Sequence, residues 1–291
     1  MERKIIINAD DFGLCDGVNR AVVQAHTQGI LTSTTIMANM PAAPQAIELA
    51  RQLPTLGVGV HLNLSEGKPV SKDPCVNCLL DTDGQFAYSP LILSILSVAK
   101  RKIRNAIATE LAAQIQWVIN NDLKPTHLDS HKHIHNFPAI FPIVCELAKN
   151  FRIAAIRWPF EPKEVSHKPW PPNVSVGGWP PPGEEGRRRA GIIRIMANIN
   201  RRQNPAFFKT QAVLGIAHTG RINVDFLKAA IINSRAETTE IITHPGFIDG
   251  LDPTKTRLVQ QRKMELDALC DKEIRQYFKD AAVKLIHYGQ I

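Results

Sequence analysis

The sequence predicts an α/β fold, most simply an irregular TIM-like (β/α) barrel of about seven parallel strands with one proline-rich insertion. Short β-branched segments alternate with longer helix-like segments, which is the pattern of a parallel α/β protein. Carboxylates and histidines recur just after the strand-like segments, where a barrel places its site. An open, doubly wound sheet is the alternative architecture. We treat 1–291 as a single domain in which 158–208 form an insertion or lid.

The first half of the chain gives three strands and two helices before an irregular stretch at 65–89. The predicted strands cover 5–8, 31–38 and 57–64, and the predicted helices cover 16–28 and 41–53. The strand segments are rich in Ile, Val or Thr. Pro41 suits the first turn of its helix, because the N–H that proline lacks has no partner there.

The second half resumes the alternation on both sides of the insertion. The predicted strands cover 126–129, 154–157, 212–217, 240–243 and 283–287. The predicted helices cover 103–120, 138–150, 190–201, 225–234 and 257–278. Eight of the twenty prolines fall between Pro159 and Pro182, a density that forbids regular helix or sheet.

The net charge of +8 raises the question of nucleic-acid binding. The excess is concentrated, because 187–209 contain seven basic residues and no acidic one. No RNP, zinc-finger or helix-turn-helix signature accompanies them, so we expect no nucleic-acid partner. A solvated helix face, or contact with an anionic surface or substrate, explains the pattern better.

Cysteine content and hydropathy bear on the cellular compartment in which we expect the protein. Five cysteines in a chain of this length argue against a secreted disulfide framework. Cys75 and Cys78 have the spacing of half a zinc site, but no second pair matches them, and two loop thiols are the simpler interpretation. No apolar run approaches the ~18 residues of a membrane span. The chain opens with charged residues and a strand rather than a signal peptide, so we expect a cytoplasmic protein.

Two adjacent carboxylates, Asp10 and Asp11, follow the first strand. Such neighbours repel each other unless a cation or a shared proton offsets the repulsion. His61 and His131 stand at or just past the ends of later strands. One carboxylate and two imidazoles can bind a catalytic metal and leave coordination positions open, so we expect Asp11, His61 and His131 to be ligands. This set suits Zn²⁺, can also hold Mn²⁺ or Fe²⁺, and holds Mg²⁺ less typically.

His131 is preferred over the other histidines of its segment because it satisfies both local geometries. It shares a face with His127 and Asp129 if the strand continues, and with His135 if a helical turn begins. Asp129 and His135 are therefore candidates to orient the ligand imidazoles through the second ring nitrogen.

The remaining groups of the predicted site carry protons. Asp10, beside the metal but not bound to it, is the expected general base. His244, in Thr243-His244-Pro245-Gly246, follows a late strand. A protonated imidazole there could give its proton to a leaving amine. Lys132 and His133 would point away from the site in an extended strand and have no predicted role.

Four residues are candidates for the rim of the site. Glu66 lies five residues beyond His61, and Arg157 and Glu161 flank Trp158 at the start of the insertion. A tryptophan with nearby charges suits sugar recognition by ring stacking and hydroxyl hydrogen bonds. It equally suits a lid packed on the barrel rim.

The chain resembles the YdjC-like carbohydrate deacetylases, the family of chitooligosaccharide deacetylase and the hopanoid-biosynthesis deacetylases. The resemblance begins with the run Ile7-Asn8-Ala9-Asp10-Asp11-Phe12-Gly13-Leu14. Further blocks match in the same order at 17–19, 32–35, 59–64, 66–69, 125–131 and 243–246. Only 75–104 and 159–208 fall outside it.

The resemblance implies an irregular barrel that removes N-linked acetyl groups from amino sugars. It also implies a divalent ion, often Mg²⁺, at the positions of Asp11, His61 and His131, with Asp10 as the base. The ligand set agrees with the chemistry above. The implied metal, Mg²⁺, does not agree with that chemistry, because a carboxylate and two imidazoles are softer ligands than Mg²⁺ prefers.

The substrate and partners remain open among alternatives. A small carbohydrate such as a chitooligosaccharide is the default substrate. A glucosaminyl lipid is the alternative, because the apolar stretch 91–99 adjoins a basic run and could meet an anionic membrane surface. A non-enzymatic sugar-binding barrel is the rival from another class, although binding alone needs neither Asp10 nor His244. A homodimer would suit a barrel with a long lid.

Overall fold

In the computed structural model, which describes residues 2–167, 182–254 and 256–291, parallel strands form one sheet that curls into a half-barrel. The strands are β1 (Arg3–Phe12), β2 (Ser33–Ile36), β3 (Gly57–Leu62), β4 (Leu128–Ser130), β5 (Ala212–Leu214), β6 (Thr238–Thr243) and β7 (Val283–Leu285). Their order is β4-β3-β2-β1-β6-β5, and β7 pairs with the first residues of β1. The predicted TIM-like α/β fold is confirmed.

Helices surround this sheet and connect its strands. They are α1 (Asp16–Gln28), α2 (Ala43–Arg51), α3 (Pro90–Ala99), α4 (Arg101–Asn120), α5 (Phe141–Asn150), α6 (Lys163–His167), α7 (Glu184–Gln203), α8 (Val224–Asn233), α9 (Gln260–Cys270) and α10 (Lys272–Asp280). Short 3₁₀ helices cover Pro74–Leu79, His131–Asn136, Pro205–Phe207 and Tyr288–Gln290.

One predicted helix is divided in the structure, and one predicted strand is nearly lost. The helix predicted at 257–278 is broken into α9 and α10, because the Asp271 side chain accepts the backbone N–H groups of Glu273 and Ile274 and starts a new helix. The strand predicted at 154–157 is reduced to one parallel bridge with Leu128.

The segment around 154–160 instead connects the two edges of the sheet. The backbone N–H of Arg157 donates to the carbonyl of Leu128 beside β4, at 2.9 Å. The carbonyl of Phe160 accepts from the N–H of Val213 in β5, also at 2.9 Å. The segment therefore crosses from one edge to the other rather than running along a single neighbour.

The insertion contains more helix than its prolines predict. Helix α6 lies within the proline-rich stretch, and 168–181 lie outside the described residues. Helix α7 begins at Glu184, earlier than the predicted start at 190. Glu184 and Glu185 occupy its first turn, where carboxylates are favoured by the helix dipole.

Buried polar side chains gather where the parallel strands end. Every residue of β1 from Ile5 to Phe12 is buried, and the apolar Ile5-Ile6-Ile7 gives way to Asn8, Asp10 and Asp11. In the same sheet His61 of β3 pairs with Asp129 of β4. The carboxyl ends of these strands therefore form one polar edge, as expected for a barrel site.

The cysteine pair and the length and polarity of the helices bear on zinc binding and on membrane spanning. Cys75 and Cys78 lie on the 3₁₀ helix Pro74–Leu79 as free thiols, and in the part of the chain that is described neither joins a cluster of metal donors. Within that part, every helix is too short or too polar to cross a membrane.

Candidate active site

Asp11, His61 and His131 meet at the carboxyl ends of β1, β3 and β4. The Oδ1 atom of Asp11 lies 3.1 Å from Nδ1 of His131 and 3.5 Å from Nε2 of His61. One donor atom from each residue lies within 4.8 Å of the other two. One carboxylate oxygen and two imidazole nitrogens at this spacing fit a divalent ion with positions left for water or substrate. The structure thus brings together the three residues predicted as ligands.

An irregularity in β1 turns both adjacent carboxylates toward the site. The pairing of β1 with β2 shifts register between Ala9 and Phe12, and Asp11 has a φ of 69°. Aspartate is among the few residues that tolerate this left-handed conformation, and such bulges re-aim side chains. Side chains of a regular strand alternate between faces, yet here Asp10 and Asp11 both line one cavity.

Asp129 fixes the orientation of the His61 ring. Its Oδ1 atom lies 2.7 Å from Nδ1 of His61, and its Oδ2 atom accepts the hydroxyl of Thr35 at 3.0 Å. A ring whose Nδ1 is bound to a carboxylate presents Nε2 to its other side. In this structure that side faces Asp11.

Arg157 links three buried carboxylates inside the barrel. Its guanidinium lies 2.7 Å from oxygens of Asp10, Asp129 and Glu240, and all four side chains are buried. Burial alone would raise the pKa of Asp10, but the adjacent Arg157 holds that pKa well below its usual range. Asp10 is therefore ionised at neutral pH.

Arg157 also decides between two sets of potential metal donors. Asp10, His61 and Asp129 form a second cluster in the described chain. The guanidinium of Arg157 already bridges the two carboxylates of that cluster, and Nδ1 of His61 is bound to Asp129. A cation shared by both carboxylates would repel a metal ion there. In the set that includes Asp11, an arginine contacts Oδ2 of the carboxylate and Oδ1 faces the two histidines, so this set is the better site.

Arg262 of α9 holds the second oxygen of Asp11. Its Nη2 atom lies 2.5 Å from Oδ2 of Asp11, and both side chains are 2% exposed. Burial opposes ionisation of Asp11, but Arg262 and the hydrogen bond with His131 keep its pKa well below the usual range. Arg262 thus directs Oδ1 toward the two histidines.

Replacing Arg262 by methionine should make the stability of the protein depend on metal. Without Arg262 the buried Asp11 would lack its main counter-charge, which typically costs about 3 kcal/mol in the free energy of unfolding. An added divalent ion would restore that charge, so Mn²⁺ should raise the melting temperature more in Arg262→Met than in the wild type. Thermal unfolding with and without Mn²⁺ measures this. Lys263→Met, an exposed change on the same helix, should leave the melting temperature unchanged with and without Mn²⁺. If the metal-free Arg262→Met variant were as stable as the wild type, Arg262 would not be the counter-charge of Asp11.

The turn after β4 brings Glu66 and Lys132 into the site. In the 3₁₀ helix that His131 begins, Lys132 and His133 both have a φ of 54°, which is strained for residues other than glycine. The Oε1 atom of Glu66 lies 3.0 Å from Nε2 of His131 and 2.7 Å from Nζ of Lys132. Lys132 and His133 line the cavity, contrary to expectation, because the strand ends before His131.

Pairing with carboxylates dominates the titration of His131. Burial disfavours its charged form, but hydrogen bonds with Asp11 and Glu66 raise its pKa to about 9. Burial would raise the pKa of Glu66, but His131 and Lys132 lower it to about 2. Because a ligating imidazole is neutral, metal binding at His131 would displace a proton.

His244 lies beside Asp10 and lines the same cavity. Its Nε2 atom is 4.0 Å from Oδ2 of Asp10, and its backbone N–H donates to Glu265 at 2.6 Å. Burial lowers the pKa of His244 to about 4. The imidazole is therefore neutral at neutral pH, in contrast to the protonated ring expected from the sequence.

Two predicted rim residues are structural instead. Trp158 is 2% exposed, stacks on Phe160 with ring centroids 4.5 Å apart, and donates from Nε1 to the carbonyl of Ala197. Its contacts match the alternative of a packed lid. Buried Glu161 accepts backbone N–H groups of 215–217, and burial raises its pKa to about 7.

His135 does not orient a ligand imidazole. Its Nδ1 atom lies beside the hydroxyl of Ser130, and its Nε2 atom lies 3.2 Å from the carbonyl of Arg157. Burial lowers its pKa to about 3. His135 therefore supports the turn and the Arg157 backbone rather than the donor atoms.

A cavity of about 1310 Å³ opens over these groups. Its lining includes Asp10, Asp11, His61, His131 and His244, with Glu66, Lys132, Arg188, Met196 and Arg257 further out. Ligand pockets are commonly about 300–1,000 Å³, so the cavity has room for a small-molecule ligand.

Arg262 and Glu265 are functional neighbours that sequence reasoning missed. They lie one turn apart on α9 and contact Asp11 and His244 respectively. A signal was present, because Arg262 stands four residues before Leu266, which is buried, and so shares its helix face. Charged residues on an apolar helix face commonly have a partner.

Comparisons with known proteins bear on the fold and the family of this chain. A crystal structure from Enterococcus faecalis V583 matches the fold with a TM-score of 0.78 at 24% identity, covering 100% of this chain and 99% of the other. A carbohydrate deacetylase of Brevibacillus brevis is 33% identical over 290 residues, 99% of each chain. A chitooligosaccharide deacetylase of Salmonella paratyphi B is 45% identical over 157 residues, 53% of this chain and 59% of that protein.

The family assignment rests on a match along most of the chain. Residues 4–280 match the family described as YdjC-like protein, and that range contains every candidate site residue described above. The resemblance inferred from the sequence motifs is thereby confirmed: this chain belongs to the YdjC-like family.

Proposed function

We propose that this chain is a metal-dependent deacetylase that hydrolyses the acetamide of an N-acetylated amino sugar, such as a chitooligosaccharide, and releases acetate. The observation that carries the proposal is that Asp11, His61 and His131 converge beside Asp10, which is ionised, and His244, which is neutral. The names of the Brevibacillus and Salmonella relatives support the reaction class.

The three donors fit a divalent ion, and Zn²⁺ or Mn²⁺ suits their softness better than Mg²⁺. When bound, such an ion supplies positive charge that polarises the acetamide carbonyl and increases the acidity of water. Asp129, Arg262 and Glu66 hold the donor side chains in place through the hydrogen bonds described above.

Asp10 and His244 would carry the proton of the reaction. Asp10, ionised and fixed by Arg157, accepts a proton as water attacks the acetyl carbon. Because His244 is neutral beforehand, the proton it delivers must first reach it, and Asp10 lies 4.0 Å away. The C–N bond then breaks, the proton forms the new N–H bond of the amine, and acetate leaves. Glu265, 3.9 Å from Nδ1 of His244, would stabilise the transient imidazolium.

The test is acetate release from N,N′-diacetylchitobiose by metal-stripped protein resupplied with Mg²⁺, Mn²⁺ or Zn²⁺. We expect release that depends on the ion and that His131→Ala lacks. His26→Ala, a matched change at a histidine bonded to Leu31 and Thr55 away from the cavity, should behave as wild type. Sugar binding without release under any ion would instead favour the non-enzymatic barrel.

A further inference from the structure

Two helices beside the cavity expose an unusual amount of apolar surface. Large apolar side chains with exposures of 43–68% are concentrated on α3 and α7. They are Leu91, Ile92, Ile95 and Val98 on α3, and Ile192, Ile195 and Ile199 on α7. We refer to these seven side chains as the apolar face. Concentrated exposed apolar surface of this kind marks an interaction site more often than scattered single residues do.

Helix α3 is anchored on one side only. Leu93 and Ser97 are its buried residues, so the opposite side is open. Arg104 donates to the carbonyls of Ser97 and Val98, which fixes the end of the helix beside a run of exposed cations. The run is Lys100, Arg101 and Lys102. No acidic residue occurs from 84 to 109.

Helix α7 repeats this arrangement in a single stripe. Arg188, Ile192, Ile195, Ile199 and Arg202 are exposed at steps of four, three, four and three residues, which places them on one helical face. The stripe is apolar in the middle and ends at Arg202 beside the exposed Arg201, whereas Arg188 at its other end pairs with Glu184 at 2.5 Å. No acidic residue occurs from 186 to 209.

Both helices that carry the apolar face reach the active-site cavity. Helices α3 and α7 both pack against the His131–Asn136 turn, which carries the ligand His131. Pro90 of α3 and Ile192 and Met196 of α7 line the cavity itself. A body that covered this face would therefore stand at the cavity entrance.

We propose that the apolar face and its cationic ends dock the protein peripherally on an anionic lipid bilayer. Amphipathic helices bind such surfaces by burying apolar side chains at the headgroup boundary while lysines and arginines meet anionic headgroups. Apart from Glu184 and Glu185 at the start of α7, which pair with Arg188 and Arg257, the two helices that carry the face contain no carboxylate. A second copy would therefore bring most of these cations to the interface without partners there. This docking goes beyond the proposed reaction and does not depend on it.

The test is cosedimentation of the full chain with vesicles of phosphatidylcholine alone or mixed with phosphatidylglycerol. We expect binding to the mixed vesicles that weakens with added salt, and little binding to phosphatidylcholine. Ile95→Ser combined with Ile195→Ser should weaken binding by about tenfold or more, since two apolar side chains are lost. Lys100→Glu combined with Lys102→Glu should weaken it by about tenfold as well.

A matched control is Ile232→Ser on α8, where the native side chain is 45% exposed but far from these helices in the chain. It should bind vesicles as wild type does. Acetate release from soluble N,N′-diacetylchitobiose should be the same in all these variants, which separates failure of docking from failure of the reaction. Absence of binding to anionic vesicles, or equal loss in Ile232→Ser, would overturn the proposal. So would a dimer in solution that Ile195→Ser dissociates, because a second copy would then cover the face.

Discussion

Asp10→Asn is expected to reduce the turnover number for acetate release by about 10²–10⁴-fold, the usual contribution of a positioned general base. An amide cannot accept the proton of the attacking water. Metal binding should persist, because Asp10 is held by Arg157 and does not belong to the Asp11, His61 and His131 set. Turnover with saturating ion, together with calorimetric titration of the metal, measures the two properties separately.

Asp267→Asn provides the control, because this exposed carboxylate on α9 pairs only with the neighbouring Lys263 in the described contacts. It should change neither turnover nor metal affinity. Wild-type turnover in Asp10→Asn would remove Asp10 as the base. Loss of metal binding in that variant would instead move Asp10 into the donor set.

Arg157→Met is expected to lower the free energy of unfolding at pH 7 by about 3–5 kcal/mol, the typical cost of leaving buried charges without their partner. Asp10, Asp129 and Glu240 would all lose the guanidinium that now lies 2.7 Å from each. Denaturant unfolding of the metal-free protein at several pH values measures this effect.

The pH dependence distinguishes lost charge from lost packing. In the wild type the depressed pKa of Asp10 stabilises the fold above the unfolded pKa near 3.8, and this contribution disappears as the pH falls further. In Arg157→Met the folded-state pKa values would rise instead, so the deficit should be largest at neutral pH and shrink toward pH ~4. Adding Glu240→Gln should recover part of the loss. A deficit independent of pH would indicate packing alone.

The sequence was sufficient for the fold and for the residues at strand ends. Strands are predicted by the apolar residues Ile5-Ile6-Ile7 and Val60. The polar residues that follow them, Asp10, Asp11 and His61, are therefore placed at the carboxyl ends of those strands. Local periodicity carries that information, and parallel strands bring those ends together whatever the loops do. The position of His131 followed from two alternative local geometries that agreed on it.

What sequence could not supply depends on contacts between distant segments. Arg157 was expected at the rim, yet its carboxylate partners come from three strands, and nothing local to 157 indicates them. The neutral state of His244 follows from burial by neighbouring elements, which no motif records. Trp158 fits two roles in sequence, and only the partners Phe160 and Ala197 decide between them.

The left-handed turn at Lys132 and His133 has two separable properties, the backbone strain at both residues and the side-chain contact that Lys132 makes with Glu66. Each such conformation costs of order 1–3 kcal/mol in a residue with a side chain, and a glycine would adopt it freely. Lys132 uses its side chain to hold Glu66, so glycine there would relieve the strain but release a group that contacts His131, the proposed ligand. His133, one residue later, makes no such bond to Glu66 in the described contacts. Glycine at 133 would therefore relieve strain without releasing Glu66, at the cost of one side chain from the cavity lining, whereas glycine at 132 would release Glu66.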